Sequence, residues 1–65
     1  MDPPLSQREL EVLRLAADGL TYEEIGAALG IAARTAKEYC DRLRAKLGVE
    51  KKRLLGKAAR ERGLL

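Results

Sequence analysis

Histidine, tryptophan and phenylalanine are absent from this 65-residue chain, and cysteine occurs once. Without histidine, the usual zinc ligand sets and histidine-based acid–base or nucleophilic catalysis have nothing to build on. A lone cysteine, Cys40, cannot form an intramolecular disulfide, so the fold must hold by burial and hydrogen bonding. No apolar run approaches the ~20 residues that a membrane-crossing helix needs. The opening MDPP has neither the basic nor the apolar region of a secretion signal, so we expect a cytoplasmic location and no membrane contact. Runs of alternating apolar and polar residues are missing as well, which leaves no strand candidate. A glycine-rich phosphate loop and an activated nucleophile are also lacking. In a length that allows one small domain, residues 1–65, we therefore expect a binding module rather than an enzyme, and no cofactor.

What the chain does have is charge, unevenly placed. Residues 1–33 carry two basic against six acidic side chains, a formal −4. Residues 34–65 carry eleven against four, a formal +7, and together they make the net +3. Clustered Lys and Arg neutralise phosphates and release counterions, so the basic half is the electrostatic footprint of a polyanion binder. A solvated helix surface has the same composition, and position must decide between the two.

Apolar spacing supplies that position. Ser6 and Glu9 form a capping box and Leu5 and Leu10 a hydrophobic staple, which predicts a first helix from about Gln7 to Asp18. Leu10, Leu13 and Ala17 share its apolar face, Val12, Leu15 and Ala16 broaden it, and Gly19 ends it. Thr21 with Glu24 and Leu20 with Ile25 repeat the pattern for a short second helix that stops at Gly30. Gly26 inside that helix costs roughly 1 kcal/mol relative to alanine, which marks a place where the backbone of the next helix comes close. Propensity nonetheless favours alanine at position 26, whereas a β-branched residue at Gly30 opposes a left-handed turn. Gly30→Val is therefore expected to be much the more damaging change.

The third helix, about Ala33 to Leu47, has Ala36, Tyr39, Cys40 and Leu43 as its apolar stripe. With alanine at positions 32 and 33 in place of a capping hydroxyl, its first amides are free to hold a phosphate. A fourth helix from about Lys51 to Arg62 follows, with Leu54, Leu55, Ala58 and Ala59 as its buried residues. The whole is an all-α, four-helix arrangement in which helices two and three, joined by a tight turn, make a helix-turn-helix. Arg34 and Lys37 lie opposite the stripe of the third helix, with Glu38 and Asp41 beside them, and are the first candidates for DNA contact. Arg42, Arg44 and Lys46 on its flank and end, and Lys51, Lys52 and Arg53 beyond it, form a basic patch within reach of phosphates. Cys40 reads as a small apolar core group, Tyr39 as core with its hydroxyl reaching outward, and Tyr22 as the freer aromatic.

The run LSQRELEVLRLAADGLTYEEIGAALGIAARTAKEYCDRLRAKLGV, followed by a basic helix ending in GLL, resembles the LuxR/GerE-type DNA-binding domain of bacterial transcription regulators. Leu5 with Arg8, Glu9 and Glu11, Gly19-Leu20-Thr21 with Glu24-Ile25, Leu29-Gly30-Ile31, Thr35 with Lys37, and Lys46-Leu47-Gly48-Val49 carry the resemblance. It implies that the third helix enters the major groove, that the second lies across the backbone, and that two copies join through the fourth. Lys37 and Thr35 match the family's lysine and threonine, and Glu38 and Asp41 stand at its further groove-facing positions. The candidate DNA-binding set is Arg34, Thr35, Lys37, Glu38, Asp41, Arg42 and Lys46.

The chain departs from the family pattern at Ala32 for a serine, Ala36 for a valine and Tyr39 for a histidine. Carboxylates facing DNA repel phosphates, although Glu38 can accept a hydrogen bond from cytosine N4. Gly56 and Arg62 stand where apolar residues of a dimer seam are expected, so we expect a weak homodimer that forms on DNA. The expected partners are double-stranded DNA and RNA polymerase, with the chain either a stand-alone regulator or the output domain of a larger one. Two alternatives remain at this level: a sigma-factor-like promoter-recognition domain, which the run from Arg8 to Ile31 also resembles, and a protein-interaction module that kept the fold without strong DNA binding.

Overall fold

The computed structural model describes residues 5–65, and the reading of the MDPP segment lies outside the described residues. Both expected capping boxes are present as reciprocal hydrogen bonds. The Ser6 amide donates to Glu9 Oε1 at 2.9 Å and the Glu9 amide donates to Ser6 Oγ at 3.1 Å, opening helix α1 (Gln7–Ala17). Thr21 and Glu24 repeat the exchange at 2.9 and 3.1 Å at the start of α2 (Tyr22–Leu29). Helix α3 (Ala33–Leu47) begins without a side-chain cap at Ala32. The fourth helix is shorter than expected: a single 3-10 turn, Lys52–Leu54, precedes α4 (Leu55–Glu61). Lys51 is extended and offers no capping oxygen, so the chain tightens through the 3-10 turn before α-helical bonding begins. No strand occurs among the described residues, and the architecture is an all-α helix-turn-helix fold.

Val12, Leu13 and Ala16 of α1 meet Ile25 of α2, Ala36, Cys40, Leu43 and Leu47 of α3, and Leu55, Ala58 and Ala59 of α4 in one buried core. Leu10, Leu15 and Tyr39 are only partly buried and pack on its rim, and Leu54, expected inside, is exposed. Burying Leu13, Ile25, Leu43 and Leu55 completely contributes about 1.5–3 kcal/mol each. Helix α1 packs against both α3 and α4, and α2 packs chiefly against α3, so α3 is held from two sides and its remaining side faces outward.

The turn between α2 and α3 depends on two glycines for different reasons. Gly30 caps α2 in the left-handed region, φ 70° and ψ 34°, and its amide and that of Ile31 both donate to the Gly26 carbonyl. A Cβ at Gly30 would meet nothing within 4 Å, so the cost of an alanine there is conformational only. At Gly26 a Cβ would lie 2.5 Å from the Ile31 carbonyl oxygen and 3.3 Å from the Ala32 carbonyl carbon and the Ala33 nitrogen. The close backbone expected at Gly26 is the entry to α3. Its proximity makes Gly26→Ala costly rather than favourable, because helix propensity at position 26 is outweighed by a clash with backbone that has nowhere to go.

Candidate nucleic-acid interface

Four buried residues of α3, Ala36, Cys40, Leu43 and Leu47, recur every three or four positions and clamp the helix to the core. The opposite side therefore faces outward, and Arg34, Lys37, Glu38, Arg42 and Ala45 are exposed on it. Thr35 and Asp41 lie half-buried at its margins. Arg34 and Glu38 make no hydrogen bond or ion pair among the described residues. Arg42 lies over the Tyr39 ring, 5.3 Å from its centroid, a cation–π arrangement that keeps the guanidinium near the helix surface.

Asp41 is not the isolated acid that the pattern of charges implies. Its Oδ1 accepts from Arg44 at 2.7 Å and its Oδ2 accepts from Lys37 at 3.0 Å. The Arg44 guanidinium first, and the Lys37 ammonium second, hold its carboxyl below the usual carboxylate range. Arg44 in turn donates at 2.6 Å to the carbonyl of Glu50, beyond the end of the helix. Glu38 is thus the one acid of the expected pair that presents an uncompensated charge.

Lys46, expected to reach DNA, is instead turned inward. Its ammonium donates to Glu9 Oε1 at 2.9 Å and to Oε2 at 2.8 Å, joining the start of α1 to the last turn of α3. Glu9 is 6% exposed, and these bonds together with the Ser6 amide outweigh the burial that would raise its pKa, so its carboxyl is held below the ordinary value. Lys52 is also tied down: it donates to the Leu20 carbonyl and sits 5.4 Å from the Tyr22 ring centroid. Lys51 and Arg53 remain exposed. Cys40 lies fully in the core, where desolvation pushes its thiol up and leaves it an apolar filler. No pocket and no group of three His, Cys, Asp or Glu side chains suited to a metal occurs among the described residues.

A helix-turn-helix whose second helix offers a convex, charged outer face is the class of structure found here. Residues 3–57 match the model of the GerE group, bacterial regulatory proteins of the luxR family, and the chain belongs to that family. A search of curated proteins gives no significant match. Among solved structures, the chain is similar to the response regulator ChrA of a heme-sensing two-component system, with 32% identity and a TM-score of 0.91 over 100% of this chain and 32% of that one. It is similar also to the LuxR-type receptor VqmA of Vibrio cholerae. The VqmA dimer without target DNA matches with 36% identity and a TM-score of 0.87 over 94% of this chain and 28% of that one. A VqmA complex with ligand and DNA matches with 34% identity and a TM-score of 0.86 over 98% and 28%. The chain spans about a third or less of the length of these proteins.

Proposed function

We propose that this chain binds double-stranded DNA and regulates transcription, with α3 as the recognition helix in the major groove. The observation that carries the reading is the outer face of α3, held outward by its four buried residues and bearing Arg34 and Lys37 on its exposed first turns. Membership of the luxR family and the DNA complex of the similar VqmA support it. Lys37 reads base edges, Arg34 and Arg42 contact flanking phosphates, and Thr35 with the uncapped amides after Ala32 fixes the register on the backbone. Glu38 accepts from cytosine N4 and repels phosphate elsewhere. No DNA contact is assigned to Lys46, two of whose three donors are taken by the buried carboxylate of Glu9.

Lys37→Ala is expected to weaken binding to a preferred duplex by about 1–3 kcal/mol, and Glu38→Ala to tighten binding to random duplex while relaxing the preference at its base pair. Fluorescence anisotropy of the two variants beside wild type, on a preferred and on a random labelled duplex, checks both. Equal binding by all three would remove α3 from the reading.

We also propose that the chain is monomeric at micromolar concentration in the absence of DNA. Gly56, expected at a dimer seam, is buried against α1, where an added Cβ would lie 3.1 Å from Ala17 Cβ, and Arg62 donates at 3.1 Å to the Leu47 carbonyl. The outer face of α4 carries Lys57, Arg60 and Glu61, so a two-fold pairing would bring two cations from each copy together with only one acid from each. Sedimentation velocity should give the mass of one chain, and a stable dimer under these conditions would contradict this account of α4.

A further inference from the structure

We propose that Asp41 is a positioning residue that holds the Lys37 ammonium at one place on the outer face of α3 and thereby sharpens discrimination among DNA sequences. The proposal rests on the reading of α3 as the recognition helix. A lysine on a free four-carbon stem samples many rotamers, and a phosphate at almost any azimuth attracts it, which gives affinity without sequence information. Here the stem is fixed at its tip. Lys37 Nζ donates to Asp41 Oδ2 at 3.0 Å, Asp41 Oδ1 accepts from Arg44 at 2.7 Å, and Arg44 donates at 2.6 Å to the Glu50 carbonyl.

An exposed lysine–aspartate pair one turn apart is weak when it stands alone. This one is anchored, because Arg44 ties the carboxylate to the backbone that follows α3. Side-chain exposure falls along the chain of bonds, from 56% at Lys37 through 37% at Asp41 to 32% at Arg44, so the shielded end is the anchor and the open end is the reader. An ammonium has three donors, and the bond to Asp41 leaves two, enough for the O6 and N7 acceptors of a guanine. Asp41 therefore does not block Lys37 from reading a base. It limits where the reading happens.

Affinity for random duplex follows total charge, whereas preference for one sequence over another follows geometry, and the two can be moved apart. Asp41→Ala removes a negative charge and frees Lys37, while Arg44→Met removes a positive charge and leaves Asp41 without its anchor. The test begins with a duplex enriched by the wild-type chain from a random-sequence library, together with a shuffled duplex of the same composition. Wild type, Asp41→Ala, Arg44→Met and Lys37→Ala are then titrated against both, with thermal melts confirming that each is folded.

Affinity for the shuffled duplex should rise in Asp41→Ala and fall in Arg44→Met. The ratio of the two affinities should fall in both, by about three- to tenfold, a part of what one two-point base contact supplies. Charge alone moves the two duplexes together and leaves the ratio unchanged. If both variants keep the wild-type ratio, the positioning role is wrong and the reading of α3 stands. If wild type enriches no duplex, or Lys37→Ala keeps the full ratio, the reading of α3 falls and this proposal with it.

Discussion

Gly26→Ala should lower the melting temperature by roughly 10 °C or more, although it replaces a poor helix former with the best one. Propensity alone would raise stability by ~1 kcal/mol. Against this, the new methyl would sit 2.5 Å from the Ile31 carbonyl oxygen, closer than real Cβ atoms approach any heavy atom. The atom in the way is backbone, held by the entry to α3, and cannot swing aside as a flexible side chain would. Prising α2 from that turn also disturbs the two amides, of Gly30 and Ile31, that donate to the Gly26 carbonyl. An overpacking cost that exceeds the propensity gain by about 2 kcal/mol corresponds to the stated drop in a domain of this size. Gly30→Ala, which meets open space and bears only the left-handed backbone penalty of about 1–2 kcal/mol, should do no more damage. Thermal melts of the two variants decide the matter, and a Gly26→Ala protein as stable as wild type would mean that α2 and the start of α3 are not packed as described.

The second large effect concerns the ion pair between α1 and α3. Glu9→Gln preserves shape and an oxygen for the Ser6 amide but strips the charge that faces Lys46, leaving an ammonium at 29% exposure without its counter-ion. We expect a loss of about 2–3 kcal/mol near neutral pH, below the roughly 3–5 kcal/mol that breaking a fully buried pair costs, because Lys46 retains some access to water. The folded protein holds the Glu9 carboxyl below its ordinary value of 4.5, chiefly through the bond from Lys46. A depressed folded pKa means that the stabilisation is fully present above the ordinary value and is lost as pH falls through the lowered one. The gap between wild type and Glu9→Gln should therefore be widest near pH 7 and shrink by about pH 3. Urea unfolding at both pH values measures it, and a gap of equal size at the two would show that charge is not its origin.

These two sites also show where sequence pattern stops being informative. Ser6 with Glu9, and Thr21 with Glu24, stand three positions apart within each pair, so the two capping boxes could be read directly and set the starts of α1 and α2. The second role of Glu9 depends on Lys46, 37 positions away, and no local spacing joins them. Lys46 stands at the edge of the apolar stripe, between Leu43 and Leu47, and that placement was the one available sign that it would turn inward. The start of α4 differs from the pattern because Leu54 continues an apolar series that the 3-10 turn interrupts, and that side chain is exposed. On the outer face of α3, helical periodicity correctly put Arg34, Lys37 and Glu38 outside, since four core contacts leave the helix no other orientation. The partners of Asp41, Lys37 four positions before it and Arg44 three after it, stand at ordinary helical spacing and are legible in the sequence; the bond from Arg44 to the Glu50 carbonyl, beyond the end of the helix, is not.

The claim on which the account turns is that this charged face engages duplex DNA. Its most direct test is a titration of the wild-type chain against a labelled random duplex at low and at near-physiological salt. If Arg34, Lys37, Arg42 and one neighbouring cation each displace a counterion, affinity should fall by roughly a hundredfold for a fourfold rise in salt. Binding that is absent at low salt, or that does not change between the two conditions, would contradict the account.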